Sequence, residues 1–121
     1  MSTPARLRAW RYGLAAETVC AWWLRLHGYR IVARRYRTPV GEIDLVARRG
    51  RVLAFVEVKA RGDADALAAP SPRQRRRIVR AAQAFLQRHR RLAALDARFD
   101  VISVAPRRLP AHLPGAWRID D

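Results

Sequence analysis

The most constraining stretch of this chain is residues 41 to 61, G-E-I-D-L-V-A-R-R-G-R-V-L-A-F-V-E-V-K-A-R. Two apolar runs rich in β-branched residues flank Arg48-Arg49-Gly50-Arg51, the pattern of a β-hairpin closed by a tight, glycine-containing turn. Strand side chains alternate, so Glu57 and Lys59 share one face and Val56 and Val58 the other. A Gly50-Arg51 turn pairs Asp44 with Glu57; an Arg49-Gly50 turn pairs Asp44 with Phe55 and leaves it diagonal to Glu57. Either register keeps Asp44 on the Glu57 face, with Ile43, Leu45, Val56 and Val58 packed together on the opposite side.

Two acids side by side on neighbouring strands repel, and such pairs are normally avoided. A divalent cation removes the conflict. Mg²⁺ is commonly held by one or two carboxylates together with substrate phosphate oxygens and water, so the hairpin points to a Mg²⁺ or Mn²⁺ site. Of the 25 basic residues, 24 are arginine, and the one lysine is Lys59, two residues from Glu57. The chain takes its general positive charge from guanidinium groups and keeps its compact, rotatable ammonium for this position. For E-x-K alone the competing reading is a surface ion pair, which is worth little; Asp44 on the neighbouring strand balances the two.

The 121 residues allow a single domain, residues 1 to 121, with half the chain apolar. The formal net charge is +15, so polyanions are the expected partners and nucleic acid the first of them, DNA ahead of RNA. One cysteine, Cys20, excludes an intrachain disulfide and suits a reducing compartment. The amino terminus lacks the apolar core of a signal peptide, and no run approaches the length of a membrane span. The expectation is a cytoplasmic protein with no membrane partner.

Thr3-Pro4 signals a helix start and Gly28 its stop. Leu7, Trp10, Leu14, Ala21 and Leu24 form one helical stripe with Glu17 in its middle, so Glu17 is expected to face the core. A buried carboxylate needs a cation, hydrogen bonds or a proton; pairing with an arginine and service at the hairpin's metal site are both open. Val19, Trp22, Trp23 and Leu26 lie off that stripe, as second-layer core or as an interface, and Trp22 and Trp23 are compatible with a homodimer. Residues 29 to 37 read as a first strand. After Arg61, residues 62 to 71 read as a mobile loop beside the site.

Ser71-Pro72 starts a second helix expected to reach about residue 91. Ile78, Ala82, Phe85, His89 and Leu92 share its apolar face, where His89 reads as a core histidine. Arg73, Arg76, Arg77, Arg80 and Arg91 share the opposite face and form a stripe suited to phosphates. Gln74 projects from the inner face toward the hairpin. Residues 98 to 105, nearly continuous apolar strand, imply a parallel crossover. The tail of residues 106 to 121 is proline-rich, with a short edge strand at 116 to 119; His112 and Trp117 have no partner that the sequence identifies. Gly-rich phosphate loops, Cys/His zinc spacings and G-x-S-x-G elbows are absent from the sequence.

Helix, three strands, helix and strand, with Asp44 on the second strand and Glu57-Val58-Lys59 on the third, resembles the PD-(D/E)xK superfamily, which includes Holliday junction resolvases. G-x-x-x-E at 13 to 17, G-E-I-D-L-V at 41 to 46, F-V-E-V-K-A-R at 55 to 61 and R-F-D-V-I at 98 to 102 look more closely like the YraN family of small bacterial proteins. The resemblance implies an α/β, restriction-endonuclease-like core of order α-β-β-β-α-β, a mixed central sheet flanked by helices. It implies Asp44 and Glu57 as metal ligands with the Val58 carbonyl as a third, Lys59 orienting water or offsetting phosphate charge, and Glu17 completing the site. Three positions depart from the pattern: Ile43 stands where the superfamily's namesake proline would, Arg35 where the family usually has asparagine, and Gln74 where it often has lysine. If that lysine contacts phosphate, Gln74 weakens substrate binding or passes the duty to Arg73 or Arg75.

These readings converge on a metal-dependent nuclease-like protein hydrolysing DNA phosphodiesters, structured or branched DNA by analogy. Arg61, Arg73, Gln74, Arg76, Arg77 and Arg80 are the expected nucleic-acid contacts. A non-catalytic nucleic-acid-binding accessory protein on the same fold is the second reading, and a basic RNA- or ribosome-associated module the third.

Overall fold

The computed structural model describes residues 4 to 60 and 69 to 120, without the side chains of 6 to 12. In chain order the elements are α1 (Pro4–Leu26), β1 (Arg30–Thr38), β2 (Gly41–Arg49), β3 (Val52–Lys59), α2 (Pro72–Arg88), a 3₁₀ turn (Arg90–Ala94), β4 (Asp96–Ser103) and β5 (Ala111–Trp117). The strands form one mixed sheet in the order β1-β2-β3-β4-β5, with β3 and β4 parallel and the other neighbours antiparallel. The α/β class and the helix-and-strand order expected from the sequence are those observed, with β5 added at the edge.

The hairpin adopts the first of the two expected registers. Arg49 pairs with Val52 and Leu45 with Val56, so Gly50 and Arg51 form the turn. Gly50 has φ +59 and Arg51 is not among the residues of positive φ, the pattern of a type II′ turn with glycine at its first central position.

Each face of the sheet carries its own core. Ala16, Cys20, Ala21 and Leu24 of α1 pack with Leu45, Ala47, Ala54, Val56 and Ile102 on one side. Ile78, Ala81, Ala82 and Phe85 of α2 pack with Ile43, Val46, Leu53, Phe55, Phe99 and Trp117 on the other. Cys20 is fully buried, and burial pushes its thiol up to about 12, which keeps it protonated and inert.

Ile43 departs from the expected alternation: it joins the α2 side, whereas Leu45 and Val56 lie on the α1 side. The neighbouring strand turns over at the same level. Arg34 donates to Thr18 Oγ1 of α1, while Tyr36, paired with Ile43, packs on the α2 side. Between them Arg35 has φ +52. The paired strands therefore roll over within one residue, at Arg35 and Asp44, and place Asp44 where both faces can be reached.

Two elements end differently from the sequence-based expectation. α2 stops at Arg88, and His89 is its exposed C-cap, its Nδ1 2.9 Å from Phe85 O and its ring stacked on Phe85. It is therefore not a core residue, because the chain leaves the helix one turn early for the 3₁₀ turn. The edge strand runs from Ala111 to Trp117 instead of 116 to 119. The loop expected at 62 to 71 lies largely outside the described residues; Ser71 caps α2 by accepting from Gln74 N–H.

α2 is drawn tightly onto β2. A Cβ on Gly41 would stand 1.9 Å from Arg77 O, so only glycine permits this approach. That contact sets the height at which Gln74 and Arg77 face the hairpin.

Candidate active site

The β2–β3 ladder ends at Leu45 and Val56. Continuing its register sets Asp44 opposite Glu57. Instead of a strand carbonyl, the Asp44 carboxylate takes the next hydrogen bond, accepting from Val58 N–H at 2.8 Å. From the α2 side, the Gln74 side-chain amide donates to Glu57 Oε1 at 2.6 Å. Asp44, Glu57, Gln74 and Arg77 line a pocket of about 50 Å³, room for a few water-sized groups. A cation with a few of its waters fits this space.

On the α1 side, Asp44 also lines a shallow groove with Glu17, Arg35, Val58 and Ala60. Glu17 is 7 % exposed and sits 3.1 Å from Arg35 Nε. The two openings share Asp44, so the roll of the strands joins an acid from α1 to an acid from β3 through a third between them. Among the described residues, no three Asp, Glu, His or Cys side chains come close enough to form a metal cage by themselves.

The electrostatics record the crowding. Burial raises the Asp44 carboxyl above its ordinary value, against the lowering effects of the Val58 N–H, Arg37 and Arg35. Burial and then the Asp44 charge raise Glu17, opposed by Arg35, Arg34 and Arg37. Burial also raises Glu57; Lys59 opposes it, Asp44 adds to it, and the Gln74 bond opposes it. Two buried oxygens, Glu57 Oε2 and Glu17 Oε1, have no hydrogen-bond partner among the described residues. Buried acceptors without donors are costly, and these two belong to the acids that flank Asp44.

The expected site residues thus fall into three groups. Glu17, Asp44, Glu57, Val58 and Lys59 come together at the open end of the hairpin. Gln74 and Arg77 reach the same pocket from α2, the first as a partner of Glu57. Arg73, Arg76 and Arg80 are exposed along α2, and Arg76 and Arg80 line a separate groove with Trp117 and Ile119. Arg61 lies outside the described residues.

Two parts of this region had no clear sequence signal. Arg35 becomes the partner of Glu17 only through its left-handed backbone. Asp100, 1 % exposed, accepts from Arg98 Nε and Nη2 at 2.8 Å each, from His112 Nε2 at 2.8 Å and from Gly115 N–H at 3.0 Å, while Arg98 also donates to Tyr29. Burial alone would raise the Asp100 carboxyl, yet the bonds from His112, Arg98 and Gly115 hold it below its ordinary value. This network and the stacking of Trp117 on Phe99, ring centroids 4.2 Å apart, fasten β5 to the sheet.

A family model described as "Uncharacterised protein family UPF0102" matches residues 16–104. The chain belongs to UPF0102, the YraN family. UPF0102 proteins similar to it include that of Parvibaculum lavamentivorans, 61% identical over 113 residues, covering 93% of this chain and 85% of the relative. UPF0102 protein RPA0323 of Rhodopseudomonas palustris is 55% identical over 117 residues, 96% of this chain and 90% of its own. Among solved structures, that of Hjc from Archaeoglobus fulgidus, a Holliday junction resolvase from an archaeal hyperthermophile, superposes with a TM-score of 0.52 at 22% identity, covering 84% of this chain and 75% of that one. This UPF0102 chain therefore shares the resolvase's fold. The family match spans all five site residues gathered at the hairpin and both α2 residues that reach them.

Proposed function

We propose that this protein is a Mg²⁺- or Mn²⁺-dependent nuclease that hydrolyses phosphodiester bonds in DNA. The observation that carries the reading is the gathering of Asp44, Glu57 and Glu17 at one sheet end, each with a raised carboxyl pKa. Unpartnered buried oxygens on Glu57 and Glu17 give a cation a reason to be there. Two carboxylates, a backbone carbonyl and a pocket of about 50 Å³ fit Mg²⁺ or Mn²⁺ that keeps much of its water.

In this reading Asp44 and Glu57 hold the ion, with the Val58 carbonyl as a third ligand. When bound, the ion supplies polarisation of the phosphoryl oxygen and a more acidic water. Lys59 offsets the charge that grows on the phosphate oxygens as the water oxygen bonds to phosphorus and the bond to one sugar oxygen breaks. Gln74 keeps Glu57 turned into the pocket, Glu17 supports Asp44 from the α1 side, and Arg77 meets the phosphate at the rim. Arg61, Arg73, Arg76 and Arg80 contact the flanking backbone. Branched DNA as the preferred substrate is an analogy with the Holliday junction resolvases, one of which shares this fold.

A non-catalytic nucleic-acid-binding role is favoured by a different observation. Arg35 already pairs with Glu17, Gln74 already binds Glu57, and among the described residues no three acids stand close enough to hold an ion by themselves. Val19, Trp22 and Leu26 are exposed on α1, and a homodimer through them would suit two-fold symmetric DNA.

Nicking assays with Mn²⁺ on linear, single-stranded and four-way DNA separate the readings. Wild type is expected to cleave, and Asp44→Ala and Lys59→Ala to bind DNA without cleaving. Equal nicking by wild type and both variants defeats the nuclease assignment; salt-sensitive binding without cleavage by any of them establishes the binding protein.

A further inference from the structure

At the other end of the hairpin lies a groove of about 680 Å³ whose lining includes Arg30, Arg48, Arg88, His89, Arg90 and Arg91 and no acid. Arg30 and Arg48 stand directly opposite each other on β1 and β2, an arrangement of like charges that strands normally avoid. Arg88 closes α2, and one arginine there suffices to complement the helix dipole. Arg90 and Arg91 come after the helix and add charge for which α2 has no need. Arg35, Arg37 and Arg98, which have acidic partners, lie elsewhere. Five arginines therefore line one groove to which the described residues contribute no acid, and Arg48 Nε also donates to Gly50 O at 3.1 Å.

The groove is aligned with the acidic centre. Arg77 lines the pocket of Asp44 and Glu57, and Arg88 follows it by eleven residues in the same helix. Eleven residues are three turns, so the two share a side of α2 about 16 Å apart along its axis. Along the axis of a duplex, one strand covers that distance in about five phosphates. Guanidinium forks match phosphate oxygens. A strand leaving the acidic centre along α2 arrives at this groove.

We propose that the groove is a second phosphate-backbone contact, gripping nucleic acid about five nucleotides from the acidic centre. The proposal rests on the reading that the protein binds nucleic acid there, and it does not require cleavage. The grip adds affinity and a fixed direction without reading sequence.

The test is fluorescence anisotropy with a labelled DNA duplex of about 20 base pairs, across roughly 50 to 200 mM salt. Wild type is compared with Arg88→Gln/Arg90→Gln/Arg91→Gln and, from different elements, Arg30→Gln/Arg48→Gln; thermal melts show that each is folded. Each phosphate contact contributes about 0.9 to the slope of log affinity against log salt, so the triple variant should lose roughly 2 to 3 from it. Its affinity should then fall about 40-fold less than that of wild type over this salt range. The double variant should lose up to about 2, and the matching lysine variants should recover most of the slope. If the triple variant does not fold, the double variant decides. Unchanged slopes in variants of a protein that binds DNA overturn the second contact and leave the proposed function intact. Failure of wild type to bind DNA removes both, as does arginine-dependent binding to phosphatidylserine vesicles without DNA binding.

Discussion

Replacing Asp44 by asparagine separates the two consequences of burying that carboxylate. The amide oxygen can still accept from Val58 N–H, so the bond that closes the hairpin survives. What disappears is a charge that burial disfavours. A carboxyl raised above its ordinary 3.8 supports the folded state fully below that pH and withdraws its support as the pH rises. At pH 7 without metal, Asp44→Asn should therefore melt above wild type, and the difference should shrink toward pH 4. Mn²⁺ reverses the order. At a concentration about 100 times its Kd a bound ion stabilises by about 2.7 kcal/mol. For 121 residues the unfolding entropy is about 0.25 kcal/mol per degree, so wild type should gain about 10 °C. The asparagine variant should gain almost nothing. Differential scanning calorimetry at pH 4 and 7, with chelator or Mn²⁺, reads both effects. An equal Mn²⁺ response in the variant, or a variant less stable than wild type at pH 7 without metal, refutes the reasoning.

Gln74→Ala removes a bond that lowers the Glu57 pKa, so the acid limb of a pH–rate profile for DNA cleavage should move to higher pH than in wild type. Asp100→Ala leaves Arg98 and His112 without their acceptor and should cost about 3 to 5 kcal/mol, or roughly 12 to 20 °C by calorimetry. Because the Asp100 carboxyl is held below its ordinary 3.8, its support is present above that pH and lost as the pH falls through the depressed value; the alanine variant should therefore show a flatter acid limb in stability against pH. Gly41→Ala drives a Cβ against Arg77 O and should cost at least about 1 to 3 kcal/mol as an overpacked contact, with loss of Mn²⁺ binding as α2 moves off the hairpin. A Mn²⁺ titration of Gly41→Ala that matches wild type in both melting temperature and affinity excludes that coupling.

Much of the architecture was legible because it is local. The tight glycine turn, with two registers open, the alternation through Val56, Glu57, Val58 and Lys59, and the Ser71-Pro72 start of α2 follow from backbone geometry within a few residues. The approach of Asp44 to Glu57 needed only the register of one hairpin, and the inward aim of Glu17 only a helical period. The overall charge of +15 likewise belongs to composition, and the expectation of a polyanionic partner rests on it alone.

Contacts distant along the chain were decided by tertiary structure. His112 and Trp117 had no partner in the sequence because Asp100 and Phe99 reach them only when β5 docks on β4. His89 matched an apolar stripe, but α2 ended before the stripe did, which left the ring stacked at the cap. The roll at Arg35 and Asp44 breaks the period of two on both strands at once. No pattern along either strand alone encodes it, because it arises from the pairing of the strands and their packing against two helices. That roll opens Asp44 to Glu17 on one face and to Glu57 on the other. The sequence by itself determined that Asp44, Glu57 and Lys59 stand on the hairpin and that Glu17 faces inward; the tertiary structure decided that Glu57 and Glu17 meet at Asp44.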